Sequence, residues 1–290
     1  MATASGPKTR YRRLSSRMHW AAPERHLMGA THQDLILDQF TRQASPFSAA
    51  AIITDEAALG MIVEAAQATS NDMILDVACG PGLVVCAFAP HVRTATGIDV
   101  TLAMLDQARQ LAAKRRLANV AWHQGDAYSL PYSDGSFTVV VTRYSLHHLL
   151  DPLSALREMA RVCVSDGRIV VVDAYAPEDP AQAYAYNRVE RLRDPSHARA
   201  LSLTELKGLF GRLGLPEPQI TLYELSVEVK DLLARAFPNP GDHAKIIDKF
   251  KESASSDRLG IPVRLDGDEV HVTYRAAILV SQRTQAAVAT

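Results

Sequence analysis

The chain has 290 residues, 47% hydrophobic and 22% charged, with a formal net charge of −1. That is ample for one large α/β domain with an elaboration, or for two small domains. The near-zero charge supplies no global basic field for nucleic acid or anionic lipid, and no apolar run approaches the ~18–20 residues that span a bilayer.

The first 30 residues hold Lys8, Arg10, Arg12, Arg13, Arg17 and Arg25 against one acid, Glu24. They read as a basic, disordered arm dispensable for folding. The alternatives are a chain start at Met18 or Met28, or an Arg- and Ser-rich organelle presequence. Residues 32–47 and 54–68 then read as helices, with Leu35, Ile36, Gln39, Phe40 and Gln43 near one face of the first. From residue 73 strand and helix patterns alternate. Strands fall at 73–78, 94–99, 120–124, 137–142 and 168–173, with helices at 83–89, 101–117, 152–162 and 203–213. Further strands are expected at 220–225 and 270–279. This rhythm predicts a doubly wound, Rossmann-like α/β fold with helices on both faces of a parallel sheet. Residues 174–200 and 226–266 are not needed to complete the sheet. Both are candidates for a helical cap over the strands' carboxyl ends, with Tyr184 and Tyr186 in its apolar wall. The amphipathic run 246–251 also suits a homodimer interface. Cys79, Cys86 and Cys163 are odd in number and match no zinc spacing, which predicts reduced thiols in a cytoplasmic compartment and no metal.

The organising stretch is Met73-Ile-Leu-Asp-Val-Ala-Cys-Gly-Pro-Gly82, an apolar strand running into a tight loop. A dinucleotide fingerprint would place glycine at positions 78, 80 and 83, where Ala78, Gly80 and Leu83 stand. Asp76 would repel a pyrophosphate but suits a ligand carrying an ammonium group. Gly80 and Gly82 let a ligand approach the backbone, and Pro81 fits a first helical turn. Asp99 ends the second strand, where an acid accepts both hydroxyls of a ribose or caps the next helix. Met104, one turn on, packs on an adenine face or in the core. At the third strand's end, Asp126 suits an exocyclic amine and the Ala127 N–H a ring nitrogen.

The loop resembles motif I of the class I S-adenosylmethionine (SAM)-dependent methyltransferases, in a form with alanine at the first glycine. Leu130-Pro-Tyr-Ser-Asp-Gly-Ser-Phe137 resembles the "LPF-x-D-x-SFD" segment of the ubiquinone/menaquinone-type methyltransferases, with Tyr132 and Thr138 as departures. His147-His148-Leu-Leu-Asp-Pro152, Leu156-Arg-Glu-Met-Ala-Arg-Val162 and Asp166-Gly-Arg-Ile-Val-Val-Val-Asp173 are similar to three further signatures of that family; Cys163, Asp166 and Ile169 depart from the last two. The match runs over roughly residues 32–215. It implies a seven-stranded sheet, mostly parallel with the last strand antiparallel, and SAM held by Asp76, Ala78, Gly80, Gly82, Asp99, Val100, Met104, Asp126, Ala127 and Arg143. Asn187, Glu190, Arg193-Asp-Pro-Ser-His197 and Arg199 resemble the "N-x-x-E-x-x-RDPSH-x-R" run of one branch.

The methyl acceptor is expected on the other side of the first strand, beside Arg143, Tyr144, Ser145 and His147. His147 or His148 is a base candidate, or else merely caps the helix or bonds the loop backbone; Asp173 would orient a histidine or the acceptor. His197, with Asp194 and Ser196, is a second base candidate, or part of a plain Asp-Pro-Ser turn. Tyr144, Arg193 and Asp194 are expected to touch the acceptor.

The leading expectation is methyl transfer to a small molecule: a quinone ring, an aromatic or a specialised metabolite. A second is non-methyl chemistry, such as a cyclisation, with SAM structural. A nucleic-acid methyltransferase fits less well, because the fourth strand ends in Thr142-Arg-Tyr-Ser145 rather than [D/N]-P-P-[Y/F]. A binding module lacking this cofactor has no physical need for Asp76, Asp99 and Asp126 at three successive strand ends.

Overall fold

In the computed structural model residues 31–49 and 54–284 are described; the basic arm expected over residues 1–30 lies outside them. Two helices come first, α1 (His32–Ala49) and α2 (Glu56–Ala65). The alternating part follows as β1 (Met73–Val77), α3 (Leu83–Phe88), β2 (Thr94–Asp99), α4 (Leu102–Lys114), β3 (Val120–Gln124), β4 (Phe137–Arg143), α5 (Pro152–Val162) and β5 (Cys163–Ala174). The chain continues through α6 (Pro180–Arg193), α7 (Leu203–Arg212), β6 (Gln219–Glu228), α8 (Val229–Ala234), α9 (Asp242–Ser256), β7 (Val263–Asp266) and β8 (Glu269–Gln282).

Local chemistry sets the helix starts. Asp151 accepts from Ser154 N ahead of Pro152, and Asp179 does the same for Ala181 N and Gln182 N ahead of Pro180. Ser202 and Glu205 form a reciprocal capping box at the start of α7.

The strand order is β3-β2-β1-β4-β5-β8-β6, and β8 runs antiparallel to both its neighbours. The seven expected strands form this path. An eighth, β7, was not expected. It pairs with the start of β8, Val263 opposite Val272, on the edge away from β6 and beyond the end of β5. Its four largely exposed residues are too few for an alternation to register in sequence.

Ile74, Leu75 and Val77 are all buried, because β1 is covered on both faces. Alternate residues feed two cores. Leu75, Val140 and Ile169 face α5 and α7, whereas Ile74, Val139 and Val170 face the side of α2 and α3. A third core joins Tyr186, Val189, Leu232, Ile246, Phe250 and Val272. Residues 174–200 and 226–266 therefore pack on each other and on the extended β6–β8 hairpin.

The candidate active site

The chain turns back between β1 and β4, so loops diverge there and leave a crevice at the strands' carboxyl ends. A cavity of about 790 Å³ lies in this crevice. Asp76, Ala78 and Gly80 line it from the first loop, Asp99, Val100 and Met104 from the second, and Asp126 and Ala127 from the third. Arg143, Tyr144, Ser145 and His148 close it from β4.

Ala78, Gly80 and Gly82 have φ values of 56°, 51° and 77°. Their roles differ. A Cβ on Gly80 would meet nothing within 4 Å, whereas one on Gly82 would overlap the Trp122 indole and Ala108. Gly82 does not line the cavity; it lets α3 begin tight against β3 and α4.

Asp99 fastens the loop to β2. Its Oδ2 accepts from Gly80 N and its Oδ1 from Thr101 N, each at 2.8 Å. Burial raises its pKa, and these backbone donors oppose the rise. Asp76 is 1% exposed, and among the described residues neither of its oxygens has a hydrogen-bond partner. Burial and then the Asp99 charge push its pKa well up, with Arg143 pulling the other way. The Arg143 guanidinium lies over the Tyr144 ring at 4.5 Å, and the Tyr144 hydroxyl meets that of Tyr223 at 2.7 Å.

A further wall is α1, through His32, Ile36 and Phe40. This helix is seated by side chains far along the chain. His32 Nε2 lies 2.6 Å from the His148 carbonyl oxygen, Gln39 Nε2 donates to the Phe237 carbonyl, and Gln43 Nε2 donates to Asp194 Oδ2 at 2.9 Å. The cap expected from residues 174–200 and 226–266 is thus differently built. No described residue of either segment lines the cavity; they hold the helix that does. Tyr184 is exposed and Tyr186 is buried in the third core.

Residues 75–171 match the methyltransferase-domain family. The uncharacterized methyltransferase YcgJ of Bacillus subtilis is 32% identical over 243 residues, 83% of this chain and 96% of that protein. Its crystal structure gives a TM-score of 0.74 at 31% identity, covering 79% of this chain and 99% of that one. The chain belongs to the SAM-dependent methyltransferases. The demethylmenaquinone methyltransferase of Renibacterium salmoninarum is 32% identical over 117 residues, 40% of this chain and 47% of that protein.

The histidines of this methyltransferase do not act as one group. His147, expected beside the methyl group, turns away from the cavity and places Nδ1 2.6 Å from Asp173 Oδ1. Burial disfavours its charged form, but the Asp173 carboxylate outweighs burial and the pKa is raised. Asp173 also accepts from His147 N and Ala174 N, so it orients a histidine but does not line the cavity. His148 does line the cavity, with Phe40 edge-on at 4.8 Å between ring centroids. His197 is buried, with Nε2 2.8 Å from Asn187 Oδ1, and burial followed by the neighbouring His147 and His148 lowers its pKa. Arg193 pairs with Glu190, whose other oxygen accepts from Tyr274. Asp194 accepts from Gln43 and from Ser196. His197, Arg193 and Asp194 therefore stand one layer behind the wall and do not line the cavity.

The α1 wall escaped sequence reasoning. Its signal was the presence of Gln39 and Gln43 on an otherwise apolar face; both are buried and bonded to distant partners. Among the described residues no helix is long and apolar enough to cross a membrane, and no cluster of potential ligands could hold a metal.

Proposed function

We propose that this methyltransferase binds SAM in the cavity and methylates a small-molecule acceptor there. The observation that carries this reading is the Asp76 carboxylate, buried and without a hydrogen-bond partner among the described residues, in the wall of the cavity. A buried carboxylate of this kind is stabilised by a cationic ligand group, and the ammonium of SAM is one. The other residues fit the same ligand. Asp99 retains lone pairs for ribose hydroxyls. Asp126, with Oδ1 holding Tyr128 N, has Oδ2 for an exocyclic amine. Val100, Met104 and Ala127 would flank the adenine. Ala78 and Gly80 would offer close backbone, and Arg143 would face the polar end beside Asp76.

When bound, SAM supplies a methyl group already activated on a sulfonium. The protein's part is alignment and exclusion of water. Ile36 and Phe40 of α1, with Tyr144 and Leu149, bring apolar surface to the cavity, which suits a quinone-ring, aromatic or other largely apolar acceptor.

Calorimetry should give a low- to mid-micromolar Kd for SAM. Incubation with methyl-labelled SAM and a metabolite extract should place label in a small-molecule fraction. Substrate consumption without label would support the cyclisation-type alternative instead, and absence of SAM binding would sink both.

A further inference from the structure

The Arg193-Asp-Pro-Ser-His197 run has no place in the cavity wall, yet it touches two parts of that wall. Asp194 is 2% exposed and accepts from Gln43 of α1 on one oxygen. Its other oxygen accepts from Ser196 N at 2.9 Å and Ser196 Oγ at 2.6 Å. His148 Nδ1 in turn lies 3.1 Å from both the carbonyl oxygen and Oγ of Ser196.

These contacts settle where the imidazole proton sits. The Ser196 carbonyl can only accept. The Ser196 hydroxyl has one proton, already given to Asp194, so toward His148 it also can only accept. Nδ1 must therefore donate, and in the neutral ring Nε2 carries the lone pair. Among the described residues Nε2 has no hydrogen-bond partner. His148 lines the cavity beside Tyr144, Ser145 and Leu149.

We infer that His148 is held as the Nδ1–H tautomer by Ser196 and Asp194, and that its Nε2 accepts a hydrogen bond from an O–H or N–H on the methyl acceptor. This rests on the methyl-transfer reading and narrows it to acceptors that carry such a donor within the cavity, phenols and amines among them. His148 then orients the acceptor through that hydrogen bond, with the Nε2 lone pair facing the O–H or N–H proton that methylation releases. The charged and titratable groups around the ring are His32 on α1, His147 on the same turn, Asp173 at the end of β5, and Asp194 and His197 after α6. Burial, and then His147, lower the His148 pKa against the opposing pull of Asp194 and Asp173. Burial and the neighbouring His147 thus favour the neutral ring. Asp194 and Ser196 are positioning residues that act through it.

The test is two-bond 1H–15N correlation spectroscopy on the full chain labelled at histidine, with His148→Gln used to assign the resonance. The expected result is a neutral Nδ1–H tautomer at neutral pH. With S-adenosylhomocysteine present, phenol should shift the Nε2 resonance, and anisole, which lacks the donor, should not. Asp194→Ala frees the Ser196 hydroxyl proton, so signals of the Nε2–H tautomer should appear. A wild-type ring found as Nε2–H, or protonated at neutral pH, overturns the inference, as does an Nε2 resonance indifferent to phenol. Persistence of the pure Nδ1–H form in a folded Asp194→Ala protein removes Asp194 from the relay. If that variant does not fold, the wild-type tautomer still decides. Failure of S-adenosylhomocysteine to bind would overturn the methyl-transfer reading, whereas the tautomer is measured without it.

Discussion

Asp76 and Asp99 are both buried and adjoin the same loop, yet among the described residues only Asp99 finds hydrogen-bond partners, Gly80 N and Thr101 N. Their substitutions should therefore separate. Asp76→Asn keeps the shape and removes the charge. It should leave the stability of the unliganded protein within about 1 kcal/mol, while loss of a charge-assisted hydrogen bond weakens SAM binding by ~1.5–3 kcal/mol. That is roughly 10- to 150-fold in Kd by calorimetry. Asp99→Ala should lower both affinity and melting temperature, because two backbone donors lose their acceptor. The histidines predict a pH dependence. The folded pKa of His147 is raised, so its pairing with Asp173 adds stability that is full below the unfolded histidine value of about 6.5 and fades as pH rises through the folded value. The stability advantage of the wild type over His147→Gln, from urea denaturation, should accordingly shrink as pH rises. His148 and His197 have lowered pKa values and act in the opposite sense, losing stability as pH falls below about 6.5.

At the scale of elements, the loop after β1 contains two glycines that the sequence presents alike and the fold does not. Gly80→Ala meets open space and carries only the left-handed backbone penalty, roughly 1–2 kcal/mol. Its main effect should be on SAM affinity. Gly82→Ala adds overlap with Trp122 and Ala108 to the same backbone strain, for a loss of about 2–5 kcal/mol seen in chemical denaturation. The α1 helix makes a second element-scale prediction. Its place over the cavity depends on Gln39, Gln43 and His32, so Gln43→Ala should speed amide exchange in residues 32–45 and leave β1 and β4 unchanged. Equal acceleration in the sheet would show that the contact stabilises the whole domain and not the wall in particular.

At the scale of the molecule, Cys79, Cys86 and Cys163 are all free and buried, on or beside different core layers. Burial pushes the Cys86 thiol up to about 11 and the Cys163 thiol up to about 12. Cys86 and Cys163 should resist Ellman's reagent in the native protein and react on unfolding, whereas Cys79, which lines the cavity, should react earlier and be protected by SAM. The parallel sheet was legible in the sequence because each β-α unit is a local pattern: an apolar run, a turn residue, a capped helix. Asp76, Asp99 and Asp126 were legible as lining residues for the same reason, since each sits at the end of its own strand and the strand order brings those ends together. The acceptor side was not. His147 and His148 are neighbours with identical side chains, and only the positions of Asp173 and Ser196 decide which one turns toward the cavity. Residues 174–200 stood next to the end of β5, where a cap would be useful, but the burial of Tyr186, Ile246 and Phe250 against the β6–β8 hairpin placed them behind the wall. The wall itself rests on Gln43 and Asp194, 151 positions apart. Secondary structure and strand-end chemistry follow from neighbours along the chain; the identity of the wall follows from packing between distant segments, which only the tertiary structure decides.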